Sequence, residues 1–392
     1  MRVSQPRPGE PVRVVRNMNG PPRYRAVVTT GTHPDGRRWQ TTRTLPSLTA
    51  AREWVAETRL SVQRGTFTAP TRTTVNEVCD RWLASRHDIR PVTRNAYRSV
   101  LLSVRSRLGH RAVQDLRPSD LNEFVQWLAN EGGRAGKGVS HRTVSLTLMV
   151  VKQMLRAAVA EGLIPTSPAE TVRAPRRRPQ DEREVTVWTP DELGRFIAAA
   201  DLDPWAACWR LTTSGLRRSE VCGMRWQDLD LEAGTASVRQ GRVAYGNKSE
   251  SVDAPKSRAS ARVVPIEAMH SGTTMLLRSL KAQQAADRLR AGEAWQESGL
   301  VLVDAIGQPV RPELFSDRFR EVCREAGVTS IRLHDVRHSV ATMLHAAGIA
   351  PAAAASLLGH GLQVHLNTYV MPTQAGLDLA GAALSRVLAD AQ

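Results

Sequence analysis

Six residues in the second half of the sequence have the types and order of a phosphoryl-transfer site. Arg217 stands in SGLRRSE, Lys256 in PKSRASARVVPI, His334 and Arg337 in LHDVRH, and His360 in LLGH; Tyr369 follows nine residues after His360. Each type has its own task. A guanidinium forks onto the non-bridging oxygens of a phosphodiester. An imidazole takes or gives a proton near neutral pH, which arginine cannot do. An ammonium protonates a departing alkoxide, and a tyrosine hydroxyl can act as the nucleophile of a covalent intermediate. Taken singly the motifs are weak, since an isolated Arg-x-x-Glu is mostly a surface ion pair and an isolated tyrosine mostly packs. The order of all six carries the signal.

These residues need elements to hold them. Arg217 follows Gly215-Leu216 at a turn into a helix, where free backbone N–H groups add to its donors. Glu220, three residues on, shares that helical face and can hold the guanidinium, whereas Arg218 falls off the face and is expected in solvent. His334 and Arg337, at i and i+3, face one ligand from one helix. Lys256 lies in a turn between two short strands, with Lys248 of the same hairpin region as its rival, and His360 ends a short helix, ASLLGH. The other tyrosines, Tyr24, Tyr97 and Tyr245, lie outside this constellation. A metal centre is not expected: His334 and His338 stand at i and i+4, but no Glu lies between them as in H-E-x-x-H, and no third ligand is suitably placed.

The set resembles the tyrosine recombinase (phage integrase) family. TTSGLRRSEVCGMRWQDLD and LHDVRHSVATML are similar to its two arginine motifs, and the spacing from Lys256 to the Arg-x-Val-Pro strand is the one the family shows. There are departures: Ser214 and Met224 stand where Thr and Leu are usual, and GLQVHLNT puts His365 and Leu366 where two Thr are common. The resemblance covers residues 183–392 through motifs and the rest through layout. It implies a reaction without metal or other cofactor. Arg217, Arg337 and His360 would neutralise the scissile phosphate, with Tyr369 as nucleophile, His334 as proton acceptor and Lys256 as donor to the leaving 5′ oxygen. A 3′-phosphotyrosyl bond and a Holliday junction follow. Alternatives are an Xer-like resolving recombinase, a type IB topoisomerase with the same chemistry, and a DNA-binding regulator with a dead site.

Charge separates the chain into unlike parts. Residues 1–70 hold 12 basic and 4 acidic residues, residues 71–180 hold 19 and 9, and the remainder 23 and 25, so the whole excess of +16 lies in the first 180 residues. A basic part beside a near-neutral part reads as a polyanion-binding module joined to one that does other work, and nucleic acid is the expected partner. A membrane surface is not, because no basic amphipathic helix or lipidation motif accompanies the charge. No stretch approaches the roughly 20 apolar residues of a membrane span, and MRVSQPRPGEPVRVV lacks an apolar signal core. A cytoplasmic protein is expected, and the resemblance implies a bacterial host and association with its nucleoid. Cys79, Cys208, Cys222 and Cys323 are scattered among apolar neighbours and read as reduced core residues.

The layout predicts a multidomain protein: a small β-sheet with one helix (1–70), an all-α domain (71–172), a linker (173–184) and a mainly α (α+β) catalytic domain (185–392). In the first, RYRAVVTTGTHPDGRRWQTTRT alternates around a Pro-Asp-Gly turn, and residues 47–64 read as a helix. In the second, the capping box Thr74-Val-Asn-Glu77 opens a helix with one apolar face, and further helices fall near 92–108, 119–131 and 140–161. GGRAGKG, residues 132–138, lacks the phosphate-loop pattern and reads as a flexible connection. Thr189-Pro-Asp-Glu192 opens the third domain, whose strands fall near 235–239, 250–254 and 262–266. The resemblance makes the first domain arm-binding and the second core-binding, with Arg23, Arg25, Arg37, Arg38, Arg176, Arg177 and Arg178 as DNA contacts. It implies core-type and arm-type attachment sites in double-stranded DNA, a homotetramer on that DNA, and a host DNA-bending factor and excisionase as partners. A C-terminal helix bearing Leu377, Ala380, Leu384, Val387 and Leu388 would dock on a neighbouring protomer.

Overall fold

The computed structural model of the protein describes residues 4–16, 20–32, 35–177, 185–245, 249–253 and 260–369, together with positions 381 and 389. The expectations at Arg178, Lys248 and Lys256 and along the apolar stripe of the tail lie outside these residues. The chain divides into two compact units, residues 1–182 and 183–392.

The first unit contains two hydrophobic cores. Strands β1 (Val12–Val15), β2 (Arg23–Thr32) and β3 (Arg38–Leu45) form an antiparallel sheet in that order. Alternation sends Tyr24, Ala26 and Val28 inward, where they meet Leu48, Ala51 and Val55 of α1 (Leu48–Gln63). Ser47 caps this helix, its Oγ accepting from Ala50 N–H at 3.1 Å. Sequence reasoning located the β2–β3 hairpin and the helix but not β1, which is only four residues long.

Helices α2 (Val75–Ser85), α3 (Pro91–Leu108), α4 (Pro118–Asn130) and α5 (His141–Ala160) bury the second core. The expected box at Thr74 is present: Thr74 N–H donates to Glu77 Oε2 at 2.6 Å, and Glu77 N–H to Thr74 Oγ1 at 3.3 Å. Three expectations need correction. Helix α5 is long and apolar enough to cross a membrane by length and composition; Val144, Leu148, Val151 and Leu155 are buried in the helical core, which accounts for its hydropathy. The connection at 132–138 is a closed turn, with Gly133 N–H donating to Lys137 O at 2.6 Å and Val139 N–H to Leu128 O at 3.1 Å. A Cβ at Gly138 would stand 1.7 Å from Ala129 O, so only glycine fits there. The segment expected as an extended linker also begins packed: Ala174 lies on the helical core, and Pro175 O is 3.0 Å from His141 Nε2.

The second unit is built from α6 (Pro190–Ala200), α7 (Ala206–Thr213) and α8 (Arg218–Cys222), then strands β4 (Leu229–Asp230), β5 (Thr235–Val238), β6 (Gly241–Tyr245), β7 (Ser249–Asp253) and β8 (Arg262–Val264). Helices α9 (Ile266–Met269), α10 (Thr273–Ala291), α11 (Pro312–Glu325), α12 (Leu333–Ala346), α13 (Pro351–Leu358) and α14 (Leu362–Tyr369) complete it. The strands pair antiparallel as β4-β5-β8 and as the separate hairpin β6-β7. An aromatic cluster fastens α6, α7 and α11: Trp209 stacks on Phe315 with centroids 4.2 Å apart, and Phe196 lies 5.4 Å from Phe319. Trp188 N–H donates to Ser339 Oγ at 2.9 Å, which fixes α12 against the start of the unit. All four cysteines are buried thiols.

Candidate active site

Arg217 is the N-cap residue of α8, extended at φ −71° and ψ 151°, and Glu220 is the third residue of the helix. The carboxylate reaches back to accept Arg217 N–H at 2.8 Å and its Nη1 at 2.6 Å. The i, i+3 pairing read from the sequence is thus a capping arrangement as well as an ion pair. Glu220 is buried at 5% exposure, while Arg217 remains partly accessible. Arg218 corrects the expectation of a solvated side chain, because its Nη1 donates to Ser316 Oγ of α11 at 2.8 Å.

Helix α12 repeats this arrangement. Arg332 caps it and Asp335, 1% exposed, accepts Arg332 Nε and Nη2, each at 2.9 Å. The first turn therefore has a fixed entry, and it carries His334 at the surface and Arg337 inside, at 2% exposure. Arg337 Nη1 donates to Gly215 O at 2.7 Å, Nη2 to Leu358 O, and Nε to His360 Nε2 at 3.1 Å. Gly215 makes this possible, since its φ is +83° and a Cβ there would lie 2.5 Å from Leu358 Cδ2.

Helix α13 ends at Gly359, which is left-handed at φ 66° and ψ 48°. Gly359 N–H and His360 N–H close the last turn onto Ser356 O and Ala355 O. The next three carbonyls are taken by three arginines. Leu357 O accepts Arg262 Nε at 2.7 Å, Leu358 O accepts Arg337, and Gly359 O accepts Arg217 Nη2 at 2.7 Å. The negative end of a helix dipole thus gathers guanidiniums from β8, α12 and the start of α8. Arg262 also donates to both oxygens of Glu220, at 3.1 and 2.9 Å. Three guanidiniums and one carboxylate leave a net charge of +2, which favours an anionic ligand.

Burial first, then the Arg337 and Arg217 guanidiniums, push the His360 imidazole down to about 3. His360 is therefore neutral at working pH, and its Nε2 accepts from Arg337 so that the ring proton sits on Nδ1. Linkage gives a sign. The unfolded chain binds this proton near the ordinary value of 6.5, the folded chain only near 3, so stability is lost as pH falls through that interval. Thermal melts of wild type should accordingly shift downwards on acidification more than those of His360→Gln; superimposable pH dependences would contradict the shift. His334 is exposed by area yet crowded on one side, and that partial dehydration, followed by the His338 and Arg337 charges, holds it below the usual imidazole value. It stands edge-on to His338, with centroids 5.3 Å apart.

His365, read as a departure from the family pattern, is a buried residue of α14 at 1% exposure, with its ring 5.7 Å from that of His360. Tyr369 ends α14 one helical turn later. A cavity of about 700 Å³, lined by Arg217, Arg218, Arg320, Arg332 and His334 among others, opens beside the site. The structure thus brings together Arg217, Glu220, Arg337 and His360, and places His334 and Arg217 on one cavity. Among the described residues, no group of three or more His, Cys, Asp or Glu is gathered as for a metal ion. In the first unit Arg23, Arg25 and Arg38 are exposed on the sheet and Arg37 beside its turn, while Arg176 and Arg177 are exposed past the helical core. Arg13 lies directly opposite Arg25 across β1 and β2.

The profile of the phage integrase family matches residues 187–375, and that of the phage integrase N-terminal SAM-like domain matches residues 80–162, between them more than half of the chain. The chain belongs to the phage integrase family. An integrase of Mycobacterium phage L5 is 23% identical over 90% of this chain and 92% of its own length. A XerC-like tyrosine recombinase of Caldanaerobacter subterraneus subsp. tengcongensis is 25% identical over 61% of this chain, and the match spans 65% of that relative. Among solved structures, the Tn1549 transposon integrase in complex with transposon right end DNA superposes with a TM-score of 0.64 at 18% identity, covering 80% of this chain and all of that one. A lambda integrase tetramer bound to a Holliday junction superposes at 0.54 and 16% identity, covering 94% and 99%.

Sequence reasoning on this integrase family member missed Arg262 and the Arg332–Asp335 pair. The second had a local signal, an acid three residues after a cap position at a helix start. Arg262 was in view only as the arginine of the Arg-x-Val-Pro strand, and nothing in that motif pointed to its task, because its partners Glu220 and Leu357 lie 42 and 95 residues away.

Proposed function

We propose that the protein is a site-specific DNA recombinase, an integrase that cleaves and rejoins strands at attachment sites of a phage or mobile element. The observation that carries this reading is the convergence of Arg217 and Arg337 on the end of α13, with His360 neutral beside them. In this reading the two guanidiniums receive the non-bridging oxygens of the scissile phosphate, and His360 adds hydrogen bonding without charge. Tyr369 Oη attacks phosphorus and its proton passes to His334. The bond to the 5′ oxygen breaks, and Lys256 protonates that oxygen. A 3′-phosphotyrosyl bond and a free 5′ hydroxyl result, so the phosphoester is conserved and rejoining needs no ATP. Exchange of partners then passes through a Holliday junction within a homotetramer, for which the lambda assembly on such a junction is the precedent. A host DNA-bending factor and an excisionase belong to the same reading, as does action at the nucleoid in the cytoplasm of a bacterial host.

The division of the chain into modules at 1–70, 71–172 and 185–392 follows the two cores of the first unit and the compact second unit. The exposed sheet face supports an arm-binding role for the first module. Arg13 opposite Arg25 is a like-charge cross-strand pair, which destabilises a sheet unless a polyanion neutralises it. The L5 integrase, which covers 90% of the chain against 61% for the XerC-like relative, favours an integrase over a resolving recombinase.

The test uses DNA from the flanks of the gene, in which a nicked site should trap covalent protein and a pair of sites should recombine. Relaxation of a supercoiled plasmid without any site would favour a type IB topoisomerase. Deleting residues 1–65 is expected to remove one DNA-binding specificity and to reduce the slope of log K against log salt by about 0.9 for each phosphate that the shortened protein no longer neutralises, leaving cleavage of short core sites intact. Equal recombination of long donor sites by the truncated protein would refute the arm-binding role.

A further inference from the structure

Arg262, the first residue of β8, is a buried cation outside the catalytic set, with a side chain 5% exposed. Its Nε donates to Leu357 O at 2.7 Å, Nη1 to Glu220 Oε1 at 3.1 Å and Ser260 O at 3.2 Å, and Nη2 to Glu220 Oε2 at 2.9 Å. Four of its five N–H groups are committed to protein acceptors, so it is not itself placed as a phosphate ligand.

We propose that Arg262 is a positioning residue for strand cleavage, acting through Glu220 on Arg217 and through Leu357 on the turn that carries His360. The proposal rests on the recombinase reading above. Its logic is electrostatic and geometric together. Glu220 must hold Arg217 in place, yet a carboxylate shared with no other cation would cancel the charge that Arg217 brings to the phosphate. Binding both carboxylate oxygens, Arg262 supplies the compensating charge and leaves Arg217 a net attractor. The same guanidinium grips Leu357 O, one residue before the carbonyl held by Arg337 and two before the one held by Arg217. Strand β8 also follows directly on the segment that contains Lys256. A lysine at this position would keep the charge but could not span the two carboxylate oxygens and the carbonyl at once.

Full-length wild type, Arg262→Lys and Arg262→Met are compared for site binding by gel shift, for melting temperature, and for single-turnover covalent capture on a nicked site. Arg262→Lys is expected to fold and bind as wild type but to cleave about 10-fold to 100-fold more slowly, the scale of a small misplacement of a catalytic group. The deciding readout is a second substrate with a methylphosphonate at the scissile position. That centre carries no charge and gains less from a correctly held Arg217, so the ratio of wild type to variant should shrink towards one. A wild-type rate for Arg262→Lys on the natural phosphate would overturn the proposal. So would an equal defect on both substrates, which is the mark of a merely structural role. Arg262→Met should show the larger defect; if it does not fold, Arg262→Lys carries the test. Failure of wild type to form any covalent complex would sink the recombinase reading, and this proposal with it, a result distinct from a wild type that cleaves beside an unaffected variant.

Discussion

Tyr369→Phe is expected to abolish covalent attachment to DNA, by at least ~10³-fold, while leaving noncovalent site binding nearly unchanged. The substitution removes one hydroxyl and no charge. Affinity for a DNA site comes mainly from phosphate contacts, and in the proposed reading Arg217 and Arg337 would keep theirs. The position follows from α14, which ends at Tyr369 one turn beyond His365, the buried residue next to His360. Two of the other tyrosines already have structural tasks. Tyr24 is buried and donates to Ser4 O at 3.0 Å, and Tyr97 stacks on Trp82 with centroids 5.5 Å apart. Incubation with a nicked site followed by denaturing electrophoresis reads the result directly. A covalent band from the phenylalanine protein would move the nucleophile elsewhere. Wild-type cleavage should also persist in excess EDTA, because every group in the proposed reaction is a side chain; loss there would call for a metal.

Arg337→Lys should lower the cleavage rate by about 10²–10³-fold, or about 2.7–4 kcal/mol of transition-state stabilisation. The guanidinium is held by Gly215 O, Leu358 O and His360 Nε2 in one plane-defining set, and only a planar fork can meet these acceptors and a phosphate together. A lysine keeps the charge and loses the geometry. Its shorter reach of donors also leaves at least one of the two carbonyls unsatisfied, which costs about 1–3 kcal/mol of stability. Single-turnover cleavage and thermal melts on the same preparation separate the two effects. A variant that melts lower but cleaves like wild type would remove Arg337 from the phosphate site and leave it a structural clasp.

Much of this was legible in the residues alone, and the reason is that the legible features are local. The seam of Val75, Val78, Cys79 and Trp82 records one buried helical face. The boxes at Thr74 and Thr189 and the Arg217–Glu220 pair are relations between residues three apart, so spacing and hydrogen bond coincide. Order along the chain added the identity of the candidate catalytic set. What spacing cannot encode is which distant groups meet. Arg217 finds Gly359 O across 142 residues, Arg337 finds Gly215 O across 122, and Arg262 finds Glu220 across 42, and none of these separations has a period. Strands β1 and β6 were not read either; each is fixed by the strand it pairs with, β2 and β7 respectively. The sequence by itself determined the chemical types, the helices that present them and the charge that selects a polyanion. Only the tertiary structure decided that the end of α13 is the common anchor, because a left-handed glycine, a glycine with no Cβ in the way and three converging guanidiniums must be packed together before any of them has a fixed direction.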